Sequence, residues 1–131
     1  MAEAQRQQAE LQGRRAELAT LWLYRLAGWR LLARRQRTRY GEIDLMMSRF
    51  HTLLFIEVKW RARELTAEEM LPGPAQQQRL LRAMTAELAR VSARRGRALQ
   101  GRFDLICWAG WRPVLWLRQV GLEGRGRQIG T

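Results

Sequence analysis

The sequence predicts an α/β domain: a mixed central sheet flanked by helices, in the order α-β-β-β-α-β with a fifth strand to follow. Three observations carry this reading. Residues 2–27 and 75–95 hold apolar side chains at helical spacing. Between them lie three consecutive runs rich in Val, Ile, Leu and Phe, and two more follow the second helix at 103–108 and 114–120. A helical crossover from the third strand to the fourth lets those two run parallel.

Taken in order, the first helix repeats Leu11, Leu18, Leu21, Trp22 and Leu26, which mark its expected buried face, and Gly28 suits its C-terminal cap. Glu17 borders that face. Residues 29–33 form a short first strand that runs into an arginine-rich stretch, Arg34, Arg35, Arg37 and Arg39. Residues 40–61 read as a β-hairpin with its turn at 48–51. Its second strand is apolar on both faces from Leu53 to Ile56, as expected of a central strand covered on both sides. Residues 61–74, with two prolines, suggest a connector with one helical turn around 66–70, either an ordinary linker or a flap. The second helix presents Leu80, Leu81, Met84, Leu88 and Val91 to the core and groups Arg79, Arg82, Arg90 and Arg94 opposite. His51 is a turn residue. Trp22 and Trp108 are expected in the core, whereas Trp60, Trp111 and Trp116 could either pack or stack on bases.

At 131 residues the chain forms one domain, expected over 1–120, with a flexible Gly- and Arg-rich tail at 121–131. The formal net charge of +12 points to a polyanionic partner, most simply nucleic acid. The single cysteine, Cys107, excludes an internal disulfide and a Cys-rich zinc site. No stretch is long and apolar enough for a membrane span and no signal peptide is visible, so a cytoplasmic protein without a membrane partner is expected.

The hairpin carries acids where a buried sheet should have none. Alternation puts Leu53, Phe55, Glu57, Lys59 and Arg61 on one face of the second strand. With the turn at 48–51, Met47 faces Thr52, Asp44 faces Phe55 and Glu42 faces Glu57, so Asp44 is a diagonal neighbour of Glu57. A loop of odd length would flip this arrangement. Two acids and an ammonium at a sheet edge are the parts of a Mg²⁺ (or Mn²⁺) site for phosphodiester hydrolysis. A plain Glu57–Lys59 salt bridge fits the same spacing. Composition favours the first reading. Of the 24 basic residues only Lys59 is lysine, and of the 12 acids only Asp44 and Asp104 are aspartate. A lone lysine in so arginine-rich a chain suggests a position that needs a compact point charge. The arginines before the hairpin make a phosphate-gripping patch or a solvated loop.

Asp44, Glu57 and Lys59 form a D…ExK pattern that resembles the PD-(D/E)XK nuclease superfamily, with its restriction-endonuclease-like core. The longer strings GEIDL at 41–45, FIEVKWR at 55–61 and RFDLI at 102–106 resemble the YraN family of small bacterial proteins, over roughly residues 13–106. The resemblance implies a metal-dependent endonuclease or nuclease-like protein acting on DNA, branched or damaged forms included. Asp44 and Glu57 would hold the metal, Lys59 would position water or stabilise charge, and Glu17, in Gly13-Arg14-Arg15-Ala16-Glu17, would add an acid. Glu17 could equally be a helix glutamate paired with Arg14 or Arg25. Arg34, Arg35, Arg37, Arg39 and Arg61 would contact phosphates. Gln76 stands where relatives tend to have lysine, which removes one helix cation from the expected site. Asp104 reads as a supporting group or an ion-pair partner of Arg102. A nucleic-acid-binding module that keeps the fold without turnover, or a protein-interaction subunit, are the alternatives. A homodimer is allowed, since cutting both strands of a duplex often needs two sites.

Overall fold

The computed structural model describes residues 1–122, side chains at 67, 115–117 and 120–122 excepted. Helix α1 spans Ala2–Leu26, and strands β1 (Arg30–Thr38), β2 (Gly41–Arg49) and β3 (Thr52–Arg61) follow. Next come a single turn of helix, α2 (Ala67–Met70), the long helix α3 (Pro74–Arg95), and strands β4 (Gln100–Ala109) and β5 (Arg112–Leu122). The strands form one sheet in the order β1-β2-β3-β4-β5. β3 and β4 run parallel from Thr52↔Gln100 to Arg61↔Ala109, and the other neighbours are antiparallel. This is the mixed sheet and element order read from the sequence, with β3 in the centre. The expectation for Trp116 and most of that for the 121–131 tail concern positions outside the described ones, although β5 itself runs on to Leu122.

Each face of the sheet is closed by one helix. Met46, Leu53, Phe55, Phe103, Leu105 and Cys107 pack under α3 through Met84, Leu88 and Val91. Leu45, Met47, Leu54, Ile56, Ile106 and Trp108 pack under α1. Cys107 is buried, as expected of a small core residue, and burial pushes its thiol up to about 11. Gly28, at φ 97°, turns the chain out of α1 while the Trp29 N–H returns to the Tyr24 carbonyl. Gly96, at φ 68°, does the same for α3.

Helix α1 docks through a face that keeps Leu21 but leaves out the other apolar residues expected there. It buries Ala16, Glu17, Thr20 and Leu21, while Leu11, Leu18, Trp22 and Leu26 face solvent. Small side chains at Ala16 and Thr20 let the helix axis approach the sheet closely. Their polar cost is met locally, since the Thr20 hydroxyl donates to the Ala16 carbonyl and accepts from the Trp108 indole at 2.9 Å. A hydropathy pattern cannot register this, because it counts threonine as outward-facing.

The hairpin also differs in detail. Its turn is only Phe50-His51, with Phe50 in the left-handed region that a two-residue turn requires. Ser48, read as loop, is buried in the ladder opposite Leu53 and takes a bond from Arg95. The register is therefore Met47↔Leu54 and Met46↔Phe55, two residues from the expected one. A shift of two preserves the faces. Strand β1 is longer than expected: the arginine run is part of an edge strand that reaches Thr38, not a loop. Charged side chains along a sheet edge also discourage pairing with another chain.

Candidate functional site

The site lies where β2 and β3 part. Their ladder ends at Leu45↔Ile56, so one residue further on Asp44 comes level with Glu57. Instead of a backbone carbonyl, the Asp44 carboxylate accepts the Val58 N–H at 2.8 Å. Side-chain alternation in β2 breaks at the same place: Leu45 packs on the α1 side, but Ile43 packs on the α3 side. Across the sheet, between the pairs Arg34↔Leu45 and Gln36↔Ile43, Arg35 adopts φ 49°. A left-handed arginine costs on the order of 1 kcal/mol, a strain the sequence does not announce. Asp44 thus sits between the two faces of the sheet.

Three acids line up across this opening. On the α1 side, Glu17 is nearly buried and accepts the Arg35 guanidinium at 3.2 Å, with Arg34 at 3.9 Å. On the α3 side, Glu57 lines a cleft of about 220 Å³ with Tyr40, Gly41, Glu42, Gln76 and Arg79. Burial raises the Asp44 carboxyl to about 7, the neighbouring Glu57 charge adds to the rise, and the Val58 N–H opposes it. Burial raises Glu57 as well, against the charge of Lys59 and its hydrogen bond with Asp44. Glu17 is raised by burial and by Asp44, and held down in part by Arg35 and Arg34. Asp44 and Glu57 therefore crowd negative charge into a half-buried space, with Lys59 two residues along β3 and Arg79 in the lining of the cleft.

Lys59, two residues beyond Glu57 on the same face, donates to the Met70 carbonyl at 3.0 Å. This bond ties the end of β3 to α2, and Met70 itself is buried in the core. The connector thus contains the helical turn read from the sequence and is anchored beside the site.

The sequence-selected arginines divide. Arg34 and Arg35 turn to Glu17. Arg37 reaches Glu42 at 3.8 Å with its side chain 90% exposed. Arg39 stacks over Tyr40, and Arg61 donates to the Trp60 carbonyl. The Glu17 partners are thus Arg34 and Arg35 from β1, not Arg14 or Arg25 from its own helix. Among the tryptophans, Trp22 is exposed rather than core, Trp108 is buried, Trp60 donates to the Gly110 carbonyl, and Trp111 is half exposed with its ring edge-on to Trp108.

Among the described residues, no group of three His, Cys, Asp or Glu side chains is gathered closely enough to hold a metal ion. The candidate is a two-carboxylate site, with Glu17 one step removed. One further feature escaped the sequence reading. Arg79, assigned to the outer stripe of the second helix, lines the Glu57 cleft. Asp104, fully buried, accepts the Tyr24 hydroxyl and both ends of the Arg102 guanidinium, with Arg118 at 3.5 Å. The guanidinium groups of Arg49 and Arg102 both lie over the Trp29 ring, 4.4 and 5.2 Å from its centroid. Asp104 is therefore the ion-pair partner of Arg102 that its place in RFDLI suggested. It braces α1 against β4.

Fold and site together define a class, mixed α/β domains that carry a D…ExK array where the central strand meets a splayed neighbour. The family model of the uncharacterised protein family UPF0102 matches residues 16–108. A UPF0102 protein of Bordetella avium (strain 197N) is 39% identical over 127 residues, covering 89% of this chain and 86% of its own. One from Maricaulis maris (strain MCS10) is 42% identical, covering 86% and 90%, and one from Mesorhizobium japonicum is 41% identical, covering 85% and 87%. The chain belongs to the UPF0102 family. No helix among the described residues is long and apolar enough to cross a membrane.

Proposed function

We propose that this chain is a divalent-metal-dependent nuclease acting on phosphodiester bonds of DNA, branched or damaged forms included. The observation that carries the reading is the placement of Asp44 level with Glu57 at the parting of β2 and β3, with Lys59 next on the same face. Two neighbouring carboxylates with excess negative charge suit a hard cation bound by oxygen, and Mg²⁺ commonly takes only one or two protein carboxylates. Asp44 and Glu57 would hold Mg²⁺ (or Mn²⁺), which when bound would neutralise phosphate charge and activate water.

The chain's own groups supply the rest. The Val58 N–H holds one oxygen of the Asp44 carboxylate. Lys59, released from the Met70 carbonyl, offers a point charge to the phosphate or orients the attacking water. Glu17, paired with Arg35, would be an outer acid whose own carboxyl feels the Asp44 charge. Arg34, Arg35, Arg37, Arg39 and Arg61 flank the opening and suit phosphate contact, in keeping with the net charge of +12. Cytoplasmic DNA is the partner this charge and chemistry fit.

The test is cleavage of labelled duplex, single-stranded, forked and four-way DNA with Mg²⁺, Mn²⁺ or EDTA, beside Lys59→Ala. Metal-dependent cutting that disappears in the variant is expected. Salt-sensitive binding with no cutting of any substrate would favour instead a binding module that keeps the fold without turnover.

A further inference from the structure

The end of the sheet away from the acid array is built from three connections, α1 to β1, β2 to β3 and α3 to β4. Contacts knit them together. Arg30 pairs with Ser48 and Thr52 with Gln100, the Gln100 N–H reaches the His51 carbonyl, and Arg97 donates to the Phe50 carbonyl at 3.2 Å. The stretches that form this end, residues 22–30, 48–52 and 92–102, contain no Asp or Glu. They carry seven arginines, and one of these, Arg102, is taken by Asp104. Among the described residues the other six, Arg25, Arg30, Arg49, Arg94, Arg95 and Arg97, form no ion pair. Arg49 and Arg95 donate to neutral oxygens, the Ala27 carbonyl and the Ser48 hydroxyl. The C-terminal ends of α1 and α3 offset about half a charge each, so most of the positive charge stands uncompensated.

Phe50 projects from the middle of these connections, at the tip of the hairpin. Its side chain is 83% exposed, whereas Phe55 and Phe103 are buried. Its φ of 55° is a left-handed conformation that a bulky residue adopts only with strain, and glycine would suit so tight a turn better. An aromatic ring held in water, in a strained turn and among arginines without acid partners, fits a flat apolar group carried by a polyanion. We propose that this end of the protein binds nucleic acid at an unpaired nucleotide. Phe50 stacks on the base, and Arg49, Arg94, Arg95 and Arg97 hold the phosphates to either side. Bases within a duplex are already stacked on their neighbours, so single-stranded or gapped segments are the preferred partner. The surface is separate from the proposed cleavage chemistry. Strand β3 runs roughly 17 Å from Thr52 at the tip to Glu57, and contact at the tip needs no metal.

Fluorescence anisotropy with the full chain in EDTA tests it, since no cutting intervenes. The probes are a labelled single strand, a long blunt duplex, and the same duplex with one unpaired nucleotide. The wild type should bind the first and third more tightly than the second. Phe50→Leu keeps an apolar side chain but loses the flat face. It should weaken binding to the single strand and the gapped duplex by roughly 10-fold or more, with little change for the blunt duplex and an unchanged melting temperature. Phe50→Trp should bind at least as well as the wild type. Arg94→Gln combined with Arg97→Gln should weaken binding to all three probes and lower the slope of log K against log salt by roughly 1–2. Ultraviolet crosslinking of a strand that carries iodouracil should label the tryptic peptide 50–59. A Phe50→Leu variant that binds every probe like the wild type overturns the proposal, whether or not the protein cuts DNA. So does a Phe50→Trp variant that binds no better than Phe50→Leu, a crosslink pattern without that peptide, or a wild type that binds none of the probes at low salt.

Discussion

Replacing Asp44 by Asn should stabilise the metal-free protein at neutral pH. The amide keeps an oxygen for the Val58 N–H and removes the charge that Glu57 opposes. The sign follows from linkage. The folded-state carboxyl titrates near 7 and its ordinary value is 3.8. A raised value means the proton binds more tightly in the folded state, so its contribution to stability is complete below about pH 4 and is lost as pH rises through about 7. Three units correspond to about 4 kcal/mol at 1.36 kcal/mol per unit. Sharing of the proton with Glu57 and partial exposure reduce this to on the order of 2 kcal/mol. Urea denaturation of wild type and Asp44→Asn at pH 4 and pH 8, with EDTA, measures it. The two should match at pH 4, and the variant should be more stable at pH 8. Added Mg²⁺ should raise the wild-type stability by mass action and leave the variant unchanged. A variant less stable than wild type at pH 8 would show that the Asp44 charge is compensated in the fold and would refute the reasoning.

Other variants separate chemistry from support. Lys59→Ala should lower DNA cleavage by roughly 100-fold or more while costing about 1 kcal/mol for the lost bond to Met70, read from single-turnover rates and a urea curve. Asp104→Ala leaves Arg102 and the Tyr24 hydroxyl without their buried partner and should cost about 3–5 kcal/mol. Tyr24→Phe should cost nearer 1 kcal/mol, and a double-mutant cycle reports their coupling. Arg35→Ala should weaken the fold, since Glu17 loses its closest cation, and Arg35→Gly should lose about 1 kcal/mol less because it relieves the left-handed backbone. The triple change of Arg34, Arg37 and Arg39 to Ala should weaken binding to all DNA sequences alike. It should also lower the slope of log K against log salt by roughly 2–3, as measured by fluorescence anisotropy.

Much of this architecture could be read from residue pattern alone. The apolar run from Leu53 to Ile56 identified the central strand, and the helix between β3 and β4 identified the parallel pair. The nearness of Asp44 to Glu57 survived an error in the turn because the error was two residues, an even number, although the break in alternation between Leu45 and Ile43 sets Asp44 between the two faces. Other features depend on tertiary contact. The buried face of α1 was partly hidden because Ala16 and Thr20 serve by being small, while of the apolar residues that define the hydropathy pattern only Leu21 turns inward and Leu11, Leu18, Trp22 and Leu26 face outward. The turn was hidden because it uses Phe50 in a conformation normally given to glycine or asparagine, and Ser48, a usual turn residue, is tied into the core by Arg95. Periodicity could not show that Asp44 takes the place of a backbone acceptor, or that Arg35 from β1, and not a neighbour on α1, would meet Glu17.

Direct titration of Mn²⁺ into the metal-free protein by calorimetry, repeated on Asp44→Asn and Glu57→Gln, bears most closely on the carboxylate pair. One ion should bind per wild-type chain, and each substitution should abolish or greatly weaken binding while the fold persists by circular dichroism. Absence of binding to the wild type, or equal binding to all three, would contradict a metal site built from Asp44 and Glu57.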